Sequence, residues 1–126
     1  MSYRVPYADT DQMGFVYYAN FLVYFERVRN EILRDLGVPY KELEARGILL
    51  PVTEAHCEYR IPAKYDDVLE IRGWPELIGR TRIKCHAEVL RDSQMLASGY
   101  TIHACLSSET QRPVRLPEDV FPRTDS

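Results

Sequence analysis

The chain has 126 residues, 45% of them apolar, which suffices for one sizeable core and is too little for two comfortable domains. A formal net charge of −3 with 28% charged residues offers no global attraction to nucleic acid or to an anionic membrane. No stretch approaches the ~20 apolar residues of a membrane helix, and the first residues lack the apolar run of a signal peptide, so a cytoplasmic location is expected. Cys57, Cys85 and Cys105 are odd in number and far apart, which argues against a disulfide framework and fits a reducing compartment.

In chain order, Tyr3 to Tyr7 alternates apolar and other residues and predicts a short strand, with Pro6 tolerated best at a sheet edge. Asp9-Thr10-Asp11-Gln12-Met13-Gly14 breaks the pattern with turn formers, and Gly14 can take a positive φ that other residues resist. From Asn20 to Leu36, the apolar residues Phe21, Leu22, Phe25, Val28, Ile32, Leu33 and Leu36 recur with the spacing of an amphipathic helix. Asn20 fits as its N-cap, and Gly37 followed by Pro39 is a firm stop. Such a helix would span roughly 26 Å, enough to cross a sheet. A shorter helical turn is expected from Pro39 to Arg46, closed by Gly47.

After this the period changes to two. Thr53, Ala55, Cys57, Tyr59 and Ile61 alternate with Glu54, His56, Glu58 and Arg60 in a strand that Pro62 ends. A turn around Lys64 to Asp67 leads into Val68 to Ile78, Gly79 separates this run from Arg80 to Leu90, and a turn at Arg91 to Gln94 precedes Met95 to Leu106. Turns this short make consecutive runs antiparallel neighbours. A further short strand is expected near Val114, and the tail from about residue 117 is expected to be flexible at its end. One strand, a long helix and four long strands define an α+β fold, with the helix on one face of a curved antiparallel sheet of about five strands. The other face needs a second chain, so a homodimer is expected, and beyond it a homotetramer.

Asp9-Thr10-Asp11 stands in the loop before the long helix. A carboxylate there neighbours unsatisfied backbone N–H groups that can bind and polarise a carbonyl oxygen, the minimal parts of a hydrolase. The same Asp-x-Asp can also do no more than shape a turn or cap a helix. The stretch from Tyr7 to Leu22, Tyr-Ala-Asp-Thr-Asp-Gln-Met-Gly-Phe-Val-Tyr-Tyr-Ala-Asn-Phe-Leu, resembles the signature of the 4-hydroxybenzoyl-CoA thioesterase-like hotdog family. Glu26 and Arg29 extend the match, Pro62 to Leu69 resembles that family's hairpin turn, and the likeness covers roughly residues 3 to 106.

The resemblance implies a single hotdog domain, a long central helix wrapped by the sheet, and a thioesterase that hydrolyses acyl-CoA. Coenzyme A is then part of the substrate, and no metal or other cofactor is implied. By the same resemblance Asp11 is the catalytic carboxylate, as general base or nucleophile, and Asp9 is its loop-shaping partner. The backbone N–H of Tyr18, at the start of the family's central helix, would polarise the thioester carbonyl, which places the helix start before the Asn20 cap read from periodicity. A subgroup with the closest motif has His where this chain has Tyr18, a change that a backbone donor survives. Gly14, Phe15, Tyr17 and Asn20 fall at the substrate, and the aromatic side chains suit an apolar acyl pocket.

Arg80, Arg82 and Lys84 occupy alternate positions and share one strand face over roughly 13 Å. Three cations in a row suit the phosphates of coenzyme A, and a solvated strand face accounts for them as well. His103 and Cys105 point the same way but lack a third ligand for zinc. Cys85 and His86 face opposite sides and cannot work as nucleophile and base. Two rival readings remain: a non-catalytic acyl-thioester-binding protein, and a hydroxyacyl-thioester dehydratase. The latter chemistry usually relies on a His at the central helix, where none of the three histidines lies.

Overall fold

The structure, a computed structural model, describes residues 1–119, so the tail expected to be flexible falls mostly outside it. Along the chain lie β1 (Ser2–Arg4), a 3-10 turn (Tyr7–Asp9), α1 (Asn20–Asp35), α2 (Tyr40–Ala45), β2 (Ile48–Leu49), β3 (Val52–Tyr59), β4 (Val68–Ile78), β5 (Arg82–Arg91), β6 (Gln94–Ala104) and β7 (Leu106–Ser107). Five strands form one antiparallel sheet in the order β1-β4-β5-β6-β3, and β2 pairs with β7 in a separate ladder. The α+β class and the strand count agree with the sequence reading. Near Val114, where a strand was expected, there is only a single bridge between Leu106 and Pro113. No helix among the described residues is long and apolar enough to cross a membrane.

Helix α1 is 16 residues long and buries Phe21, Tyr24, Phe25, Val28, Arg29, Ile32 and Leu33. Leu22, expected on this face, is 36% exposed. The reason is angular: Tyr24 lies three residues after Phe21 and four before Val28 and so continues the buried stripe, whereas Leu22 is turned 100° from Phe21. The expected cap is also corrected. Ala19 is the N-cap and makes no side-chain cap bond, while the Asn20 amide turns back to donate to the Asp9 carbonyl at 2.9 Å. Tyr18 sits in the turn before the helix, so the start implied by the resemblance lies too early. At the other end Gly37 takes φ +85°, and the Gly37 and Val38 N–H groups close the helix on the Arg34 and Leu33 carbonyls.

Helix α1 seats closely on β4 because of one missing side chain. A Cβ at Gly73 would meet both Val28 of α1 and the His86 carbonyl oxygen at 2.9 Å. Around this contact, Val5, Phe21, Phe25, Leu69, Ile71, Val89 and Leu96 form one core cluster. A second cluster of Leu33, Leu43, Leu50, Ile83, Cys85 and Leu116 fills the space under the end of α1 and α2.

Consecutive pairing holds for β4, β5 and β6 and fails for β3, which pairs with β6 at the far edge of the sheet. The connection from 60 to 67 therefore crosses the sheet instead of turning a hairpin. Its backbone is satisfied on the way: Arg60 N–H donates to Leu96 O, Ala63 O accepts from Val16 N–H, and Asp66 N–H donates to Val5 O. Two of these partners belong to the segments before α1, which the turn-forming composition of the connection does not reveal.

Asp67 fixes the end of this crossing. Its Oδ2 accepts from Lys64 N–H at 2.8 Å and from Arg91 Nη1 at 2.6 Å. Burial alone would raise the Asp67 carboxyl, but the Lys64 N–H and the Arg91 guanidinium outweigh it and hold it below the ordinary 3.8. A carboxyl depressed in the folded state contributes stability above its unfolded pKa and loses it as pH falls through the folded value. Asp67→Asn is therefore expected to lower unfolding free energy by about 1–3 kcal/mol at neutral pH. The deficit should close as pH drops below 3.8. Urea unfolding at both ends of this range checks it, and an equal deficit at both would contradict it.

Candidate active site

The loop from Asp9 to Tyr18 is a small closed structure. Thr10 pairs with Val16, Asp11 N–H donates to Phe15 O at 2.8 Å, and Phe15 pairs with Lys64 of the crossing. Gly14, at φ +80°, makes the reversal, and its N–H donates to Asp11 O at 3.1 Å. Asp11 Oδ1 accepts from Met13 N–H at 2.9 Å and Phe15 N–H at 3.2 Å. Its Oδ2 has no hydrogen-bond partner among the described residues, and the side chain faces solvent. One oxygen thus holds the orientation and the other stays open.

Asp9 ties this loop to the rest of the fold. Its Oδ2 accepts from both the Tyr3 and Tyr24 hydroxyls at 2.8 Å, and its carbonyl oxygen accepts from Tyr17 N–H and the Asn20 amide at 2.9 Å. One residue therefore joins β1, the buried face of α1 and the turn into the helix. Burial first, and then the Asp9 carboxylate, push the Tyr3 and Tyr24 hydroxyls above the ordinary tyrosine value, so both remain donors.

The turn into α1 presents backbone donors. The Asn20, Phe21 and Leu22 N–H groups are taken up by the Tyr17, Tyr18 and Ala19 carbonyls, but the Tyr18 and Ala19 N–H groups find no acceptor among the described residues. Tyr18 is 62% exposed. Its carbonyl oxygen accepts from the Tyr59 hydroxyl at 2.9 Å, which fixes the following Tyr18–Ala19 peptide. Burial, followed by Cys57, pushes Tyr59 up to about 12. The Tyr17 and Tyr18 rings lie 4.8 Å apart, and the Tyr59 ring stands edge-on to Phe21 at 5.3 Å. Sequence reasoning missed Tyr59, Tyr3 and Tyr24, because their contacts depend on where β3, β1 and α1 meet.

Asp11, Gly14, Phe15, Tyr17, Tyr18 and Asn20 are thus brought together by one loop, and the cations are not. Arg80 lies in the turn before β5, off the strand face expected for it. Its carbonyl accepts from Leu116 N–H at 2.8 Å, which holds that turn to the following chain instead of extending the strand. Arg82 and Lys84 do lie on β5, on the face opposite its buried residues Ile83, Cys85, Ala87 and Val89, and Lys84 Nζ sits 4.0 Å above the Tyr100 ring. His103 is fully engaged, with Nε2 on the Thr101 hydroxyl at 2.8 Å and Nδ1 on Leu50 O at 3.0 Å. Burial pulls it below the ordinary histidine value and favours the neutral ring. Among the described residues no group of three or more His, Cys, Asp and Glu is placed to hold a metal ion.

An antiparallel five-stranded sheet with a helix on one face, and a carboxylate loop at the helix start, places the chain in the α+β hotdog class. The sequence matches the thioesterase-like superfamily over residues 5–123, and the chain belongs to that superfamily. It is 32% identical over 118 residues to acyl-CoA thioesterase YbgC of Haemophilus influenzae, covering 93% of this chain and 87% of that one. Among solved structures, the hypothetical protein TT1821 of Thermus thermophilus superposes with a TM-score of 0.89 at 36% identity, covering 96% of this chain and 92% of the other. The DHNA-CoA thioesterase of Staphylococcus aureus superposes with a TM-score of 0.87 at 29% identity, covering 97% and 82%.

If Asp9 holds the loop, removing its carboxylate should act mainly on stability. Asp9→Ala leaves the Tyr24 hydroxyl buried without an acceptor and is expected to cost about 2–3 kcal/mol of unfolding free energy. Urea denaturation measures this, and a loss below about 0.5 kcal/mol would mean that the tyrosine contacts contribute little.

Proposed function

We propose that this superfamily member, an acyl-CoA thioesterase, uses Asp11 as its catalytic carboxylate and the Tyr18 N–H as the donor that polarises the thioester carbonyl. The observation that carries the reading is the pairing of an anchored carboxylate having one free oxygen with an unpaired backbone N–H, both on the loop held by Asp9. The carbonyl oxygen of a bound thioester accepts from Tyr18 N–H, where charge builds as the carbon becomes tetrahedral. Asp11 either takes a proton from the attacking water or attacks the carbonyl itself. Cleavage of the carbon–sulfur bond releases coenzyme A, whose sulfur takes up a proton; the first route gives the free acid directly, and the second gives an Asp11 anhydride that water then hydrolyses to the free acid. The names of the relatives support acyl-CoA thioester hydrolysis.

Gly14, Phe15, Tyr17 and Asn20 shape the walls beside the reacting carbonyl. The enzyme works in the cytoplasm as a homodimer that pairs further into a homotetramer. Helix α1 covers one face of the sheet, and the outer edge of β3 is unpaired, so both the open face and that edge need cover. Arg80, Arg82 and Lys84 hold the phosphates of coenzyme A. Because they lie away from Asp11 within one chain, they serve a site on a neighbouring subunit.

Asp11→Asn keeps the shape of the side chain and its turn-forming capacity while removing the charge. Turnover of a panel of acyl-CoAs should fall by at least ~10²-fold with substrate binding retained. A folded variant with near-normal turnover would contradict the assignment. Replacing Arg80, Arg82 and Lys84 together with Glu should weaken coenzyme A binding more than that of an acyl-pantetheine, which lacks the nucleotide phosphates. Calorimetry showing unchanged coenzyme A affinity would remove these cations from the site. Light scattering should show no active monomer at low micromolar concentration, and finding one would remove the oligomer.

A further inference from the structure

The strand register lays out, row by row, the face of the sheet turned away from α1. Gly73 meets Val28 of α1, and Ile83, Cys85 and Ala87 are buried, so Trp74, Lys84 and His86 point outward. Trp74 of β4, His86 of β5, Tyr100 of β6 and His56 of β3 are successive cross-strand partners, which sets four rings in one row across the face. Trp74 stacks on His86 at 5.1 Å, and His56 stacks on Tyr100 at 5.4 Å. Trp74 is the only tryptophan of the chain and remains 45% exposed. An exposed tryptophan amid a flat face has the character of an interface anchor.

Charges flank the ring row in inverted order. In the sequence β4, β5, β6, β3, one side carries Glu76, Lys84, Ile102 and Glu54, and the other Arg72, Glu88, Ser98 and Glu58. Around Trp74 and His86 the four charges thus form a checkerboard with no net charge. Within the chain Arg72 pairs with Glu70 and Glu76 with His86, whereas Lys84 and Glu88 have no ion pair among the described residues.

Such a pattern is complementary to its own copy in one register. A twofold axis along the ring row turns each strand over its own copy. Glu76 then faces Arg72 of the partner subunit, and Lys84 faces Glu88 of the partner subunit, each contact occurring twice. Face-to-face sheets lie about 10 Å apart, a gap that these long side chains bridge. An axis displaced by one row sets Glu76 and Lys84, or Arg72 and Glu88, on their own copies. An axis parallel to the strands sets Glu76 over Glu54 of the partner subunit and leaves Lys84 over Ile102 of the partner subunit. In the favoured register like charges meet only at β3, where Glu54 faces Glu58 of the partner subunit. That contact lies at the sheet edge, where twist carries aligned sheets apart.

We propose that this face docks on the same face of a second dimer, with the twofold axis along the row of rings and Trp74 as its anchor. This rests on the reading of the chain as a homodimer that pairs further, and it names the surface and register of that pairing. Arg80 and Arg82 are exposed beyond the two charged rows and stay outside the contact.

The test reverses charge and then restores it, by sedimentation equilibrium on the full chain. Glu76→Arg sets Arg against Arg72 of the partner subunit, and Arg72→Glu sets Glu against Glu76 of the partner subunit. Because each contact occurs twice, either change alone should raise the dimer–dimer dissociation constant at least ~10-fold. The double variant Glu76→Arg/Arg72→Glu restores opposite charges across the axis and should return the constant to within about threefold of the unsubstituted protein. Within one chain the same double change sets Arg beside Lys84 and Glu beside Glu88, so a rescue reports the contact between subunits. Tryptophan emission follows the same step. It should shift to shorter wavelength as the unsubstituted protein associates, and in the single variants only at correspondingly higher concentration. Single variants that associate like the unsubstituted protein, a double variant no better than the singles, or an emission that ignores association would each overturn the proposal. So would an unsubstituted protein that stops at the dimer at tens of micromolar. A monomer there overturns it together with the homodimer reading, so mass tells the two failures apart.

Discussion

The site depends on one carboxylate that joins three segments of the chain. Asp9 gathers the hydroxyls of Tyr3 and Tyr24 on its side chain and the donors of Tyr17 and Asn20 on its carbonyl, so strand, helix and loop share a single anchor. Charge-assisted hydrogen bonds are the stronger kind, and two made in a partly buried position fix the loop against the helix start. Asp11 then needs only local bonds from Met13 and Phe15 to orient it. Because these bonds use one oxygen, the other remains available. The two aspartates, two residues apart, therefore divide between them the holding of the loop and the presentation of an open carboxylate oxygen.

The helix start leaves donors unpaired as every helix does, and the way the sheet is built fixes where they stand. Gly73 lets Val28 sit down on β4, which fixes the height of α1 above the sheet, and Tyr59 at the end of β3 holds the Tyr18–Ala19 peptide through its carbonyl. Strand β3 reaches that place only because the chain crosses the sheet between 60 and 67 and leaves β3 beside β6. The same crossing touches the Asp11 loop through Ala63 and Lys64. The exposed tyrosine turn and the unpaired outer edge of β3 thus have one topological origin.

Elements with a strong local period were legible in the sequence. Periodicity placed α1 within a residue of its ends, and it placed β4 at Val68 to Ile78, where the structure has it. Chain pairing was not legible for β3, since Lys64 to Asp67 has hairpin composition and only the contacts of Val5 and Val16 make it part of a crossover. Arg80 looked like a strand residue because alternation continued through it, whereas Gly79 and the bond from Leu116 bend that segment into a turn. The Asp9 to Asn20 cluster and Arg29 were marked by the resemblance, but Tyr59 was not. Its place depends on a hydroxyl reaching the Tyr18 carbonyl, which has no sequence period.

The central claim is geometric: the thioester carbonyl lies between the Tyr18 N–H and the free oxygen of Asp11. A crystal structure of Asp11→Asn with an unhydrolysed acyl-CoA tests it directly. The carbonyl oxygen should lie about 2.7–3.1 Å from the Tyr18 nitrogen, with the residue 11 side chain in reach of the carbonyl carbon directly or through one water. A carbonyl bound away from the Tyr18 turn, with the residue 11 side chain facing only its own loop, would contradict the account.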